Sequence, residues 1–424
     1  MNYNTSNIHT ILDNPTNNYI NMGLDSIKQI LNYLDNPQNK IKVIHVTGTN
    51  GKGSVVNYIH NALKYQGYNV GKFTSPHIYK INESIIYNDR EISDDELIFY
   101  YKIILSSMNK HNIKLSQFEL LTVIMLLFFH EMKIDFAVIE VGMGGLLDAT
   151  NVIKSPLISV ITNIALEHCQ FLGNTYLDII KHKCGIIKNS EVIISDNNNE
   201  LINYLETNNY KYTNVLKKYK FKTELDYSKF VTNIKLYDIN NNSILETHLA
   251  NFGKYQVNNF IVAYEILKRL DISLINIIKA ANNTKWFGRL SIINTTPTII
   301  LDITHNTHGA NALINNFIDH FSKDDIVIIT SILKDKDIKE IINIFTKISN
   351  YLIITGIHNT TRGLTANEII SKLNTIPNNI QIENTPQQAL ELAKTFNKKI
   401  ILITGSTYLL KEFNLYSQIS PENI

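Results

Sequence analysis

The sequence predicts an α/β protein of two domains, each a parallel-rich sheet covered by helices. Three observations lead there. The chain has 424 residues, more than one hydrophobic core usually organises. Short apolar runs alternate with helical patterns from about residue 41 to 187, as in a doubly wound sheet. After "WFGRL" at 286–290 the same alternation starts afresh.

Ile41 to Val46 reads as a buried parallel strand, an apolar run that ends in glycines. Val55, Val56, Ile59, Ala62 and Leu63 then recur at helical spacing, and Gly67 closes the segment. Ser93 and Glu96 form a capping box ahead of the helix "DDELIFYYKIILSSMNK". A helix near Phe118 to Met132 leads to the strand "FAVIEVG", then comes the strand "LISVITNI", and a helix from about Thr175 to Ile187. Between about Val215 and Leu249, short β-like pieces are separated by Asn-rich turns. Helices follow near Asn259 to Leu270 and Ser273 to Asn282. The boundary is expected near Lys285: residues 1–284 form the first domain, with its β-rich part near 215–250, and 285–424 the second. The strands "TIILDIT", "DIVIITS", "YLIITGI", "IQIEN" and "KIILITG" predict a smaller Rossmann-like sheet for the second domain. It carries no glycine fingerprint for a dinucleotide.

Composition narrows the function classes. Hydrophobic residues make up 44% and charged residues 18%, an ordinary soluble globular balance. A net charge of +2 gives no electrostatic reason to propose a nucleic-acid partner. The N-terminus lacks the basic start and apolar core of a signal peptide. Leu120 to Phe129 is too short to span a bilayer. Two cysteines cannot build a disulfide framework and fit a reducing cytoplasm. The expectation is a cytoplasmic protein with no membrane partner.

The chemistry starts at "HVTGTNGKGS", residues 45–54. A phosphate loop usually places its lysine directly before Ser or Thr; here Gly53 separates Lys52 from Ser54. The physical requirements are still met. Gly48, Gly51 and Gly53 let the backbone approach an anion, and the next helix turns its positive end towards it. Lys52 can reach terminal phosphates and the Ser54 hydroxyl can ligate Mg²⁺. Glu140 stands near the carboxyl end of an apolar strand, the edge at which open parallel sheets bind ligands, and suits a Mg²⁺ ion there. Glu167 and His168 end another strand. His168, Cys169, His182 and Cys184 lack the usual zinc spacing, so magnesium is the better metal.

"HVTGTNGKGS", "FTSPHIYKINESI", "EVGMGGLLDATN", "LEHCQFLGNTYLDIIKHKCGIIK", "WFGRL", "LDITHN" and "ITGS" occur in the order seen in folylpolyglutamate synthases and bifunctional dihydrofolate synthases, and in this the chain resembles that branch of the Mur ligase superfamily. The likeness runs from about Met22 to Tyr408, and "GTNGKGS" is the form of loop this family uses. The resemblance implies a Mur-ligase-like P-loop ATPase domain followed by the Rossmann-like one. It implies an ATP-dependent ligase that adds L-glutamate to dihydropteroate, to reduced folates, or to both, through an acyl phosphate.

Residue by residue, the resemblance implies that Asn50, Gly51, Lys52, Gly53 and Ser54 cradle ATP, with Asn259, Arg289 and Asp302 as further ATP contacts. Ser54 and Ser75 would hold one Mg²⁺, with Glu140 and His168 serving the metal ions at two sites; a monovalent cation is left open. Lys52, Lys183 and His305 would be catalytic, and Lys183 would be carbamylated. The pterin would lie against Met22, Gly23 and Leu24, near Phe118 and Glu119, and along Leu147, Asp148 and Ala149. A monomer is expected. The chain departs from the family pattern at Ser84 and Leu146, where arginine is common, and at Ser291, Ile303 and Thr304. The alternative is a Mur-type ligase of peptidoglycan precursors, against which "TSPH" and "LDATN" argue.

Overall fold

The computed structural model describes residues 8–12, 23–373 and 379–413. The chain divides into two compact units: Met1–Phe221 with Leu236–Leu245 and Asn258–Asn282, and Lys222–Lys235 with Glu246–Val257 and Asn283–Ile424.

The first unit is organised by eight strands: β1 (Val43–Thr47), β2 (Val70–Phe73), β3 (Ile85–Tyr87), β4 (Arg90–Glu91), β5 (Phe136–Glu140), β6 (Ile158–Ile161), β7 (Glu191–Ile194) and β8 (Tyr212–Asn214). Their order is β4-β3-β2-β5-β1-β6-β7-β8. From β2 to β8 every pairing is parallel; the β2–β3–β4 edge is antiparallel. All five residues of β1 are buried, as a central strand covered on both faces requires. The carboxyl end of β1 lies between those of β5 and β6, because Val46 pairs with Glu140 and Thr47 with Ile161. Sequentially distant strands flank β1 on both sides, so the sheet opens a crevice just beyond Thr47.

The helices form where their signals predict. Ser93 accepts from the Glu96 N–H, and the Glu96 carboxylate returns a bond to the Ser93 N–H, opening the helix Asp94–His111. Ser116 and Glu119 make the same box for Gln117–Glu131. The helix expected to reach Ile187 stops at Cys184. Gly185 lies against the Leu146 backbone so closely that a Cβ there would sit 2.5 Å from the Leu146 Cα, and Asn151 Nδ2 donates to its carbonyl at 3.2 Å.

The β-like pieces are longer than expected: β9 (Tyr219–Asp226), β10 (Val231–Asp238) and β11 (Ser243–Leu249) form a three-stranded sheet. The second unit holds a six-stranded sheet of β12 (Ser291–Thr295), β13 (Thr298–Leu301), β14 (Ile326–Thr330), β15 (Tyr351–Thr355), β16 (Ile380–Glu383) and β17 (Ile400–Thr404), ordered β12-β13-β17-β14-β15-β16. All neighbours are parallel except the edge pair β12–β13. The five strands read from sequence are present, and β12 is an additional edge. No helix among the described residues is long and apolar enough to cross a membrane.

Candidate functional site

The loop after β1 is held from outside. Asn50 donates its N–H to Asn163 Oδ1 at 2.9 Å, while its carbonyl accepts from Thr162 Oγ1 at 2.6 Å and Asn163 Nδ2 at 3.1 Å. The Thr49 N–H reaches the Asn163 carbonyl at 2.9 Å. The residues that follow β6 therefore clamp the loop, a role that nothing in "ITNI" announces. Gly51 has φ 87° and starts the helix Lys52–Tyr65. A Cβ on it would stand 2.2 Å from Asn259 Oδ1, so the Asn259 amide lies on the loop, beside the residues proposed to cradle ATP. Lys52 Nζ donates to the carbonyls of Gly48 and Thr49 at 3.0 and 3.2 Å. Ser54 is 1% exposed, and its Oγ is buried without a protein partner.

Glu140 closes β5 in the same crevice. It is 4% exposed, and its Oε2 accepts from the Ser75 N–H at 3.3 Å. That contact unites two of the four expected metal residues on adjacent parallel strand ends. His168 is half-buried at φ 49° and caps the short helix Cys169–Leu172. Among the described residues, no group of three or more His, Cys, Asp and Glu side chains converges as a metal cluster; the expected magnesium set rests on two serine hydroxyls with Glu140 and His168. A buried, unpartnered serine hydroxyl at the helix start after β1, with a buried carboxylate at the end of the neighbouring strand β5, is a donor set whose chemistry fits a hard divalent cation.

Lys183 is completely buried, and its Nζ lies 3.3 Å from Glu167 Oε1. Burial drags its pKa down to about 8; the Glu167 carboxylate works against that, and the Lys52 charge with it. The sequence pattern also allows an exposed lysine on an amphipathic helix, and the structure removes that option. The "GMGGLLDATN" loop packs on the turn after Lys183. The Leu146 N–H donates to the His182 carbonyl at 2.7 Å, and Asn151 Nδ2 donates to the Leu146 carbonyl at 2.9 Å. Leu146 itself is exposed.

Asp148 and Glu119, expected against the pterin, both carry helix-start bonds. Asp148 accepts from the N–H groups of Met143 and Thr150 at 2.9 and 3.0 Å, and from Thr150 Oγ1 at 2.6 Å. Burial raises its pKa while these donors pull the other way. A hydroxyl has one proton, so Thr150, having given it to Asp148, accepts from His45 Nε2–H at 2.8 Å. The phosphate-loop strand and the "LDATN" segment are joined by that bond. Glu119 accepts from both the N–H and the Oγ of Ser116 at 2.8 Å. Phe118 covers Gly142, where a Cβ would stand 2.5 Å from its ring, and packs 5.8 Å from the Phe73 ring.

Gly23 and Leu24 precede the helix Asp25–Tyr33, which packs with Gln117–Glu131 and the turn Ala149–Val152 around one apolar cluster. The structure thus gathers the three elements expected against the pterin, and Leu147 enters the same turn half-buried. Met22 lies outside the described residues. At the antiparallel edge, the buried Ser84 accepts the Thr74 N–H through its carbonyl at 3.1 Å.

In the second unit, Asp302 is buried just past β13. It accepts from the N–H groups of Leu290 and Thr304 at 3.1 and 2.8 Å and from the Tyr255 hydroxyl at 3.4 Å. Burial raises its pKa and the Arg289 charge lowers it. Three departures from the family pattern serve this turn. Ser291 Oγ accepts from the Gly288 N–H at 3.0 Å and donates to the Trp286 carbonyl at 3.3 Å. Ile303 N–H donates to the Gly288 carbonyl at 2.9 Å, and Thr304 supplies one of the Asp302 donors. His305 Nδ1–H donates to the Ile303 carbonyl at 3.0 Å.

Comparison with known proteins agrees with this architecture. The family model of the Mur ligase middle domain matches residues 46–267, and that of the Mur ligase, glutamate ligase domain matches 288–407. The chain is 32% identical to the dihydrofolate synthetase of Saccharomyces cerevisiae over 426 residues, 93% of this chain and 97% of that protein. It is 32% identical over 376 residues to the dihydrofolate synthase/folylpolyglutamate synthase of Buchnera aphidicola subsp. Schizaphis graminum, covering 87% and 86%. The Mycobacterium tuberculosis folylpolyglutamate synthase, solved with ADP and AMPPCP, shares the fold at a TM-score of 0.83 and 23% identity over 94% of this chain and 96% of that one. Loop, crevice, buried lysine and whole-length similarity agree: the chain belongs to the dihydrofolate synthase/folylpolyglutamate synthase family of Mur ligases.

Proposed function

We propose that this chain is an ATP-dependent ligase that joins the amine of L-glutamate to the carboxylate of dihydropteroate, to the terminal carboxylate of a reduced folate, or to both. The observation that carries the reading is the crevice beyond β1. There a clamped glycine loop, Lys52, the unpartnered Ser54 hydroxyl and the buried Glu140 sit on adjoining strand ends.

A carboxylate is a poor acyl donor, and phosphorylation supplies the missing leaving group. The substrate carboxylate oxygen attacks the γ-phosphorus of ATP, the bond to the β-phosphate oxygen breaks, and ADP departs. The glutamate amine then attacks the acyl carbon, the C–N bond forms, phosphate leaves with its oxygen, and the amine loses a proton. Both partners of the first step are anions, so cations and N–H donors dominate catalysis. The backbone of Asn50 to Gly53 and the helix start bind the phosphates, and Lys52 meets the charge that develops at the γ-phosphoryl group. Ser54 and Ser75 are the residues that would hold a magnesium ion, with Glu140 and His168 serving the metal sites; magnesium bound there would neutralise phosphate charge. Asn259 orients the loop from its free side. In the second unit Arg289, Asp302 and His305 are the groups we assign to ATP and the phosphates.

The pterin is assigned to the elements carrying Gly23, Leu24, Phe118 and Asp148. Lys183, buried and easily neutralised, is assigned as a carbamate, which would replace a positive charge by a negative one beside the metal residues. The test follows ADP formation with glutamate and either dihydropteroate or a UDP-muramoyl peptide. Stimulation by the pteroate alone supports the proposal, and stimulation by the muramoyl peptide alone refutes it.

A further inference from the structure

Lys72 is a buried lysine for which the functional site described above has no use. It lies in β2, whose other residues are Val70, Gly71 and Phe73, and is only 4% exposed. Successive strand side chains face opposite ways. Gly71 lies against the Phe129 ring, and Lys72 points to the other face, towards the helix Lys52–Tyr65. There its Nζ donates to Asn57 Oδ1 at 2.6 Å, and Asn57 Nδ2 donates to the Gly53 carbonyl at 2.8 Å.

A lysine in this place is costly. Burial, with Lys64 adding to it and Glu91 and Asp89 opposing it, draws its pKa down to about 7. An apolar side chain would fill the space without that desolvation. What the lysine supplies is direction. An amide side chain can be turned over with little change of shape; the Lys72 amine donates to Oδ1, and once protonated it has no lone pair to accept from Nδ2, so it permits one orientation. With Oδ1 so held, Nδ2 must face Gly53.

The peptide plane then carries the effect forward. Its C=O and N–H point in opposite directions, so a fixed Gly53 carbonyl fixes the Ser54 N–H, one of the free donors at the start of the helix. We propose that Lys72 is a positioning residue for the phosphate loop, acting through Asn57 and the Gly53 peptide to aim the Ser54 N–H at a nucleotide phosphate. This rests on the reading that the loop binds ATP.

The experiment measures ADP binding by calorimetry, together with thermal unfolding and the KM for the pteroate or folate substrate, for the parent, Lys72→Met, Asn57→Leu and the double variant. Each single change is expected to weaken ADP binding about tenfold, and the double variant no more than the stronger single, as links of one chain should. Lys72→Met is expected to keep or raise the melting temperature and leave the folate KM unchanged, which a merely structural lysine would not do. Parent-like ADP binding in Lys72→Met, or loss of stability with ADP and folate binding weakened alike, overturns the proposal. If Lys72→Met does not fold, the same ADP and KM readings on Asn57→Leu decide. A parent that binds no ADP refutes the loop reading instead.

Discussion

Lys183 and Glu167 meet at 3.3 Å where the lysine is sealed from solvent and the carboxylate nearly so. Their relationship sets the chemistry open to Lys183. Carbamylation needs a neutral amine, and burial makes one far more accessible by drawing the pKa from 10.5 to about 8, although the Glu167 charge resists. The expected outcome is that thorough removal of bicarbonate lowers turnover, that its return restores the parent, and that Lys183→Ala responds to neither. Equal turnover with and without bicarbonate counts against the carbamate.

The same buried amine predicts a pH signature in stability. Its pKa lies below the ordinary 10.5 in the folded state, so between about 8 and 10.5 the unfolded chain holds a proton that the folded chain lacks. Stability therefore rises with pH across that window. In bicarbonate-free buffer, the parent should gain on Lys183→Met between pH 8 and 10.5 in chemical unfolding, and show no relative change below pH 7. A flat difference throughout would mean that the amine is not desolvated.

Lys52→Ala separates structure from catalysis. In the loop, Lys52 makes two hydrogen bonds to backbone carbonyls, and losing them should cost about 1 kcal/mol or less of stability at this partly exposed position. Turnover should fall by about a hundredfold or more, because the residue meets charge that grows during phosphoryl transfer. Turnover within a few-fold of the parent would contradict the loop assignment.

Asp148→Asn tests the "LDATN" turn. An amide offers one acceptor oxygen where the carboxylate offers two, and here Met143 N–H faces Oδ2 while both Thr150 donors face Oδ1. One buried donor loses its partner, costing about 1–3 kcal/mol, and the folate KM should rise while the KM for ATP stays within twofold. Unfolding curves and initial rates check both parts; equal change in the two KM values would dissociate Asp148 from the pterin.

Much of this was legible where the signal is local. The strand–loop–helix unit of residues 43–65 reads from three glycines and a helical repeat. The boxes Ser93–Glu96 and Ser116–Glu119 lie within one turn, although only the first was read as a cap. The five strands expected after residue 290 are continuous apolar runs. What stayed hidden is non-local or short. Asn163 clamps Asn50 from 113 residues away. The strand around Lys72 and the burial of that lysine escaped the sequence reading, because the run Val70–Phe73 is short and the burial comes from a helix formed earlier in the chain. The edge strands β3 and β4, of three and two residues, are too short for any periodicity. Asp148 was read for a ligand, and its turn-capping bonds to Met143 and Thr150 depend on a fold that the residue pattern does not spell out.

The most direct measurement incubates the purified protein with ATP, Mg²⁺, L-glutamate and either dihydropteroate or tetrahydrofolate, and identifies the products by mass. The account predicts that at least one of the two substrates gains a glutamyl residue, with one ADP formed per residue added and product formation about a hundredfold slower or more when Lys52→Ala replaces the parent. A parent that hydrolyses ATP yet adds glutamate to neither substrate would contradict it.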